Sequence, residues 1–207
     1  MLFRSVGIEP NLSAVLAARR VARQLGEGAT FVVGDGRTLP FRTESFDVVF
    51  SYSVIQHFSK VDARRTFGQI GRVLKRQGTC LIQMPNKLGV RSLYHQLRAR
   101  FRRPGVFDVR YWSPGELREA VQTRIGPASL VVDGFFGLGV QPSDLDLLPP
   151  RFRLVVRASE RLRALSQHRR LAWLAYLADS LYVQARRPDT GQPAPGAPGG
   201  AVAAGRA

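Results

Sequence analysis

The chain has 207 residues, of which 44% are apolar, so it can bury one hydrophobic core, and a single domain is the default expectation. Its one cysteine, Cys80, excludes an internal disulfide framework. No secretory signal is visible, nor an apolar run of the about 20 residues that span a bilayer, so we expect a cytoplasmic protein. The formal net charge of +16 comes almost entirely from arginine, which indicates either an anionic partner or a GC-rich genome that favours arginine codons.

The first two predicted strands enclose a helix. Ser5–Glu9 is a short apolar run that ends on an acid, and Ala29–Val33 is a second run bounded by turn residues. Between them, apolar residues recur at helical spacing after Asn11, a residue type favoured at the N-cap. A strand-helix-strand unit implies parallel pairing, so Glu9 and Asp35 are expected at the same edge of a sheet.

Two further strands and an amphipathic helix follow in the chain. The runs Phe46–Tyr52 and Thr79–Met84 predict strands, and Val61–Arg76 carries its apolar residues on one helical face. Strands that alternate with helices in this way predict an α/β fold with a doubly wound, mainly parallel sheet.

The pattern is less regular in the second half of the chain. Helices are predicted over Val90–Phe101 and from Ser113, which is followed by proline and glutamate at positions typical of a capped helix start. Ser129–Phe136 and Leu181–Ala185 have the composition of strands, and residues 150–178 are expected to be helical with a break near residues 167–170.

Polar side chains stand where two of the predicted strands end. Asp35 follows the second strand, and Ser51 lies at the end of the third. In open α/β sheets, ligands bind just outside the carboxyl ends of the strands. The sequence therefore predicts a ligand site at this edge, lined by a carboxylate and a hydroxyl.

Three stretches in this order resemble the class I S-adenosylmethionine-dependent methyltransferases, of the small-molecule type that includes the ubiquinone and menaquinone enzymes. They are VGIEPN, GDGRTLPF and FDVVFSYSVIQHF, the last followed by a helix that ends in RVLKRQG. The resemblance implies a Rossmann-like methyltransferase fold over roughly residues 5–187, with S-adenosyl-L-methionine as the cofactor.

The resemblance also assigns cofactor-binding residues. Glu9 stands where the family's acid binds the ribose hydroxyls, and Asp35 where its aspartate accepts from the adenine amino group. The backbone of Gly36 would meet the adenine ring beside it, and Ser51 would line the methionine side of the pocket. The chemistry agrees, because a carboxylate accepts from two hydroxyls at once and glycine permits close backbone approach.

One feature of the family is absent. Its first strand and its glycine-rich loop, of the type D-x-G-x-G-x-G, belong before Ser5, where the sequence has no such residues. The opening letters LFRS are also what the end of a common sequencing adapter encodes. We therefore expect an N-terminally truncated gene model, a sheet that lacks its first, central strand, and impaired activity of the fragment.

The predicted organisation has two parts. Residues 1–187 form a partial methyltransferase domain, in which residues 86–128 and 138–178 are expected to contribute substrate or lid elements. The stretch 188–207 is dominated by proline, glycine and alanine and is predicted to be a disordered tail.

The candidates for catalysis and acceptor binding are few. Methyl transfer is an in-line displacement in which positioning supplies much of the rate, so a base is optional. His57 is a candidate base or a packing residue, and Tyr52 is a second catalytic candidate that could also shape the acceptor pocket. Tyr111 and Trp112 are candidates for contact with the acceptor or for lid packing. No spacing of His, Cys, Asp and Glu suggests a metal site.

The predicted function is methyl transfer from S-adenosylmethionine to a small-molecule or lipid-like acceptor. An RNA or protein methyltransferase is one alternative, supported only by the charge, so a nucleic-acid partner is not expected. A non-catalytic remnant that scaffolds a partner is another. Residues 151–170 hold seven arginines beside an apolar stripe, which indicates either contact with an anionic membrane or a solvated helix face.

Overall fold

The computed structural model describes residues 4–102, 105, 107–136, 145 and 147–189. Most of the predicted tail therefore lies outside the described residues, and the division into domain and tail stays a prediction. The strands are β1 (Val6–Glu9), β2 (Thr30–Val33), β3 (Phe46–Ser51), β4 (Leu74–Pro85), β5 (Ala128–Gly134) and β6 (Ser180–Arg186). The α-helices are α1 (Leu12–Gln24), α2 (Lys60–Val73), α3 (Val90–Arg98), α4 (Pro114–Gln122) and α5 (Pro150–Ser166). Short 3₁₀ helices cover Gly36–Thr38, Ile55–His57 and Arg169–Tyr176.

The strands form two sheets with the order β1-β2 and β3-β4-β6-β5. The pairs β1–β2 and β3–β4 are parallel, whereas β6 runs antiparallel to both β4 and β5. The connection from β5 to β6 begins and ends at the same edge, since Ser180 at the start of β6 pairs with Pro85 at the end of β4. A strand that starts at that edge must run back across the sheet. The predicted α/β class is confirmed, and the sequence did not reveal this reversal.

The break between the two sheets lies between β1 and β3. Within the part of the chain that the structure describes, β1 pairs only with β2 and β3 pairs only with β4. The predicted loss of a central strand stays a prediction.

Only one face of the four-stranded sheet is covered by α2 and α4. Residues of these two helices pack with residues of β4 and β6 in one core, which comprises Ala63, Phe67, Ile70, Leu117, Val121, Cys80, Ile82, Met84, Val183 and Ala185 among others. On the opposite face, Val48, Phe50 and Val131 are exposed. The sheet therefore presents a covered face and an open, partly aromatic face.

The helix starts follow from local capping. The Ser113 hydroxyl accepts from the backbone N–H of Glu116, and Pro114 occupies the first turn, as the sequence predicts. At the start of α2, the Ser59 hydroxyl accepts from the N–H of Asp62 in the same way. The end of α2 was predicted too late, because the chain turns extended at Leu74 to pair with Phe46 at the start of β3.

Candidate functional site

Glu9 ends β1 with its carboxylate turned toward the start of α1. Its Oε1 accepts from the backbone N–H of Asn11 at 3.1 Å, and Asn11 in turn caps α1 by accepting from the N–H of Ala14. The second carboxylate oxygen of Glu9 has no hydrogen-bond partner among the described residues. Glu9 is half-buried, so this oxygen is the acceptor that remains for a ligand.

Asp35, two residues beyond β2, is closed by an ion pair with Arg37. The Arg37 Nη2 lies 2.6 Å from Asp35 Oδ2, and Nε lies 3.0 Å from both carboxylate oxygens. The backbone N–H of Arg37 also donates to Oδ1 at 2.8 Å, which caps the short 3₁₀ helix. The side-chain hydrogen bond from Arg37 is the largest cause of a lowered pKa at Asp35; burial, the second-largest cause, opposes it, and the backbone hydrogen bond from Arg37 lowers the pKa further. The Asp35 carboxylate is therefore ionised, and both of its oxygens already accept hydrogen bonds from Arg37.

The register of β1 and β2 brings these two acids to one edge. Glu9 pairs with Val33, so Asp35 lies just beyond the level of Glu9 on the neighbouring strand. Arg37 also approaches Asp62 of α2, with 3.9 Å between Nη1 and Oδ2. A Cβ built on Gly36 would lie 3.6 Å from Phe58 and Thr66, which is ordinary contact, so the glycine leaves space there. The structure thus joins three of the predicted cofactor residues at one end of the small sheet.

Arg72 of α2 fixes the loop after this site. Its Nη1 donates to the carbonyl of Phe41 at 2.7 Å, and Nη2 donates to the carbonyl of Leu39 at 2.8 Å. Gln69 accepts from the same guanidinium. Local sequence could not predict these contacts, because the partners are backbone atoms about 30 residues away.

Ser51 and Tyr52 lie at the corresponding edge of the larger sheet. Ser51 pairs with Ile82 and is half-buried, whereas Tyr52 is 44% exposed. Burial raises the pKa of the Tyr52 hydroxyl, and the negative charge of Asp133 raises it further. None of the described contacts joins Ser51 to Glu9 or Asp35. Glu9 belongs to the small sheet, which Asp35 follows, whereas Ser51 belongs to the larger sheet.

A hydrogen-bond network that the sequence did not predict begins at Ser53, next to Tyr52. The backbone and hydroxyl of Ser53 both donate to Gln83 Oε1, at 2.9 and 3.1 Å. Gln83 Nε2 donates to the Ser180 hydroxyl at 2.5 Å, and that hydroxyl donates to Asp133 Oδ2 at 2.7 Å. This hydrogen-bond network fixes the positive backbone φ of Ser53 and the position of Asp133. Gln83, a polar residue within an apolar strand, is the one signal that could have revealed it.

Three aromatic rings lie close together on the open face of the sheet. The ring centroids of Phe50, Tyr52 and Tyr182 lie 6.3 to 6.4 Å from one another. Asp133 also contributes to the raised pKa of Tyr182, for which burial is the largest cause. The edge therefore combines a flat apolar surface with two phenol hydroxyls and one carboxylate.

His57 is held by its neighbours rather than left free. Its Nδ1 lies 2.9 Å from the carbonyl oxygen of Phe107, which can only accept, so Nδ1 carries the proton. Its Nε2 lies 3.2 Å from the side-chain nitrogen of Gln56, which donates. Arg110 donates to the carbonyl of His57 at 2.6 Å. This arrangement ties the segment around residues 105–110 to the end of β3.

Trp112 lies in the core, and Tyr111 beside it is half-buried. Trp112 is fully buried, with its ring 6.1 Å from that of Phe67 and with the Lys60 and Arg64 cations 4.9 and 5.0 Å from its centre. Burial, and secondarily the charge of Asp179, raises the pKa of Tyr111. None of the described contacts joins either residue to Tyr52. Within the described ranges, no group of three or more His, Cys, Asp or Glu residues could hold a metal.

The first 82 residues of the chain resemble known methyltransferases in sequence. Residues 1–82 match the family model described as a methyltransferase domain. The uncharacterized methyltransferase YcgJ of Bacillus subtilis is 32% identical over 78 residues, a match that covers 37% of this chain and 30% of YcgJ. Over these residues the chain is therefore similar to methyltransferase domains.

Solved structures share the fold. The structure of YcgJ superposes with a TM-score of 0.57 at 18% identity, over 90% of this chain and 83% of YcgJ. A chain of the complex between the Trm112 methyltransferase activator and a methyltransferase of Haloferax volcanii gives 0.58 at 21% identity, over 91% and 73%. These likenesses show a Rossmann-like methyltransferase fold. The sequence match spans less than a third of the length of YcgJ.

Proposed function

We propose that this domain transfers a methyl group from S-adenosyl-L-methionine to a small-molecule or lipid-like acceptor. The observation that carries the proposal is the pair of carboxylates, Glu9 and Asp35, at the ends of two adjacent parallel strands. In open α/β sheets this edge is where ligands bind. The family match over residues 1–82 includes both acids.

The cofactor residues fit to different degrees. Glu9 retains an open carboxylate oxygen for the ribose hydroxyls, and Gly36 leaves space beside it. Asp35 would accept from the adenine amino group only after Arg37 gives up part of its hold on the carboxylate, since the guanidinium contacts both oxygens. Ser51 would face the methionine side, from the end of β3. When bound, the cofactor supplies a methyl group on a positively charged sulfur.

The chain's own residues would then position the acceptor. Tyr52 offers a ring face and a hydroxyl at the edge beside Ser51, and Asp133 is held nearby by Ser180. We assign His57 a positioning role, because both of its ring nitrogens are engaged. Tyr111 would contact the acceptor, as part of the segment that His57 binds through Phe107 and Arg110. The burial of Trp112 favours a packing role for that residue.

The test is calorimetric titration with S-adenosylhomocysteine. The chain itself is expected to bind weakly or not at all. A version extended before Ser5 by a glycine-rich loop of the family type, the loop-extended chain, is expected to bind in the micromolar range. Failure of the loop-extended chain to bind would favour the non-catalytic scaffold. A salt-dependent mobility shift with RNA would favour the RNA methyltransferase.

A further inference from the structure

The helix α3 carries an apolar stripe that nothing described in the structure covers. Leu93, Tyr94 and Leu97 recur at helical spacing on α3, and all three are exposed, with Leu97 at 61%. Phe101, in the turn after α3, is also exposed, at 62%. Ser92 is the only residue of α3 that is buried. An amphipathic helix normally turns its apolar side to the core, so this stripe indicates contact with something else.

The same segment is strongly basic. No acid occurs between Lys87 and Val106, whereas six arginines and lysines do: Lys87, Arg91, Arg98, Arg100, Arg102 and Arg103. At the end of α3, a recess of about 530 Å³ is lined by His95, Arg98, Ala99, Arg100 and Arg102. Cationic side chains around a concave surface suit anionic headgroups, which would meet the arginines while the stripe meets acyl chains.

The helix is firmly attached at its start. Asp179, at the end of the loop before β6, accepts from the backbone N–H of Ser92 at 2.9 Å, and Asn86 donates to the carbonyls of Tyr176 and Ala178. Gln96 donates back to the carbonyl of Lys87 at 2.9 Å. The stripe is therefore presented outward by a fixed helix. Tyr176, at the point of attachment, is itself exposed, as is common for tyrosines at a bilayer interface.

We propose that α3 and the arginines that follow it dock the protein on an anionic lipid bilayer. Among the described residues, no helix is long and apolar enough to cross a membrane, so docking would be peripheral. The membrane contact expected of residues 151–170 fits α5 less well, because Val156 and Ser159 of α5 are buried and Leu162 packs against the core near β5. The surface lies at the edge where β4 ends and does not depend on the proposed activity.

Vesicle co-sedimentation of the full chain tests this surface. We expect binding to vesicles with about 30% phosphatidylserine and little binding to pure phosphatidylcholine, with a decline as salt rises from about 0.1 to 1 M. L93E/L97E lowers the partition coefficient about tenfold or more, because charge replaces the inserted apolar groups. The matched control is L154E on α5, where Leu154 is 70% exposed, and it leaves binding within about twofold.

A second pair of variants separates local from net charge. R98Q/R100Q/R102Q lowers the partition coefficient about 100-fold, since each arginine near the surface contributes about tenfold or less. R151Q/R157Q/R161Q on α5 removes the same net charge and leaves binding within a few-fold. Circular dichroism confirms that each variant is folded.

Three results would overturn the proposal. The first is no binding of the folded chain to anionic vesicles at low salt. The second is an equal loss from the α5 variants, which would mean that net charge alone drives the association. The third is a dimer in light scattering that L93E/L97E dissociates, because a second copy would then cover the stripe.

Discussion

Asp35 and Arg37 form a bidentate ion pair, 2.6 Å at its closest, at the position proposed here for the adenine contact. Both partners are partly exposed: 46% of the Arg37 side chain and 34% of the Asp35 side chain are accessible. The pair therefore contributes little to stability in water. Its importance for function is that Arg37 occupies the carboxylate oxygens of Asp35 that a ligand would need. Arg37 and a bound adenine would compete for the same oxygens.

This competition predicts the effect of R37Q. Removal of the guanidinium frees the Asp35 oxygens, so the affinity of the loop-extended chain for S-adenosylhomocysteine should rise about threefold to tenfold. Calorimetry measures the change, with R20Q on the exposed side of α1 as the control. A weaker affinity in R37Q would show instead that Arg37 holds the carboxylate in its binding position.

Replacement of Arg72 tests the loop that follows Asp35. R72Q removes the charged donors to the carbonyls of Leu39 and Phe41, which should lower the free energy of unfolding by about 2 kcal/mol. R72K keeps the charge but not the fork, so it should recover less than half of that loss. Urea denaturation provides the values, and R20Q should change them by less than about 0.5 kcal/mol. Equal stability of R72Q and R20Q would contradict the role of Arg72.

The buried thiol of Cys80 predicts a stability loss in alkali. Burial raises the pKa of Cys80 from 9.0 to about 11. Because the folded pKa is the higher one, the contribution is fully present below about pH 9 and is lost as the pH rises toward 11. Wild type should lose about 2 kcal/mol more than C80A across this window, since all other titrations are common to both. Parallel pH profiles of the two proteins would refute the prediction.

Trp112 should matter for folding more than for the acceptor. Truncation in W112A leaves a cavity beside Phe67 and removes the contact with Lys60 and Arg64, so we expect a loss of roughly 3–5 kcal/mol. Trp173 is exposed, and W173A should cost less than about 0.5 kcal/mol. Thermal unfolding followed by circular dichroism compares them. Similar costs for the two variants would place Trp112 outside the core.

Much of the fold could be predicted because its signals are local. The capped start at Ser113 and the break after α5, which ends at Ser166, are confirmed as predicted. The reversal of β6 was not readable, since it depends on Ser180 meeting Pro85 from 95 residues away. Trp112 was predicted to contact the acceptor or to pack in a lid, which stays a prediction; its burial in the core, beside a bridge to Asn86, depends on long-range pairing.

The candidate site, like the fold, could be predicted from the sequence only in part. Glu9 and Asp35 were predicted at one edge, because a parallel strand-helix-strand unit fixes where its acids lie. Gln83 and Asp133 were not predicted, since Ser180 joins them only after β4 and β6 pair. Local sequence indicates which strand ends carry polar groups, and long-range pairing decides which of them meet.

The most direct test of the account is the affinity of the loop-extended chain for S-adenosylhomocysteine in E9A and D35A. Each variant removes a carboxylate from the proposed site, and each should weaken binding about tenfold or more. E27A and D47A remove exposed acids elsewhere and should leave the affinity unchanged. Micromolar binding that is lost only in E9A and D35A would support the proposed cofactor site. Equal affinity in all four variants would contradict it.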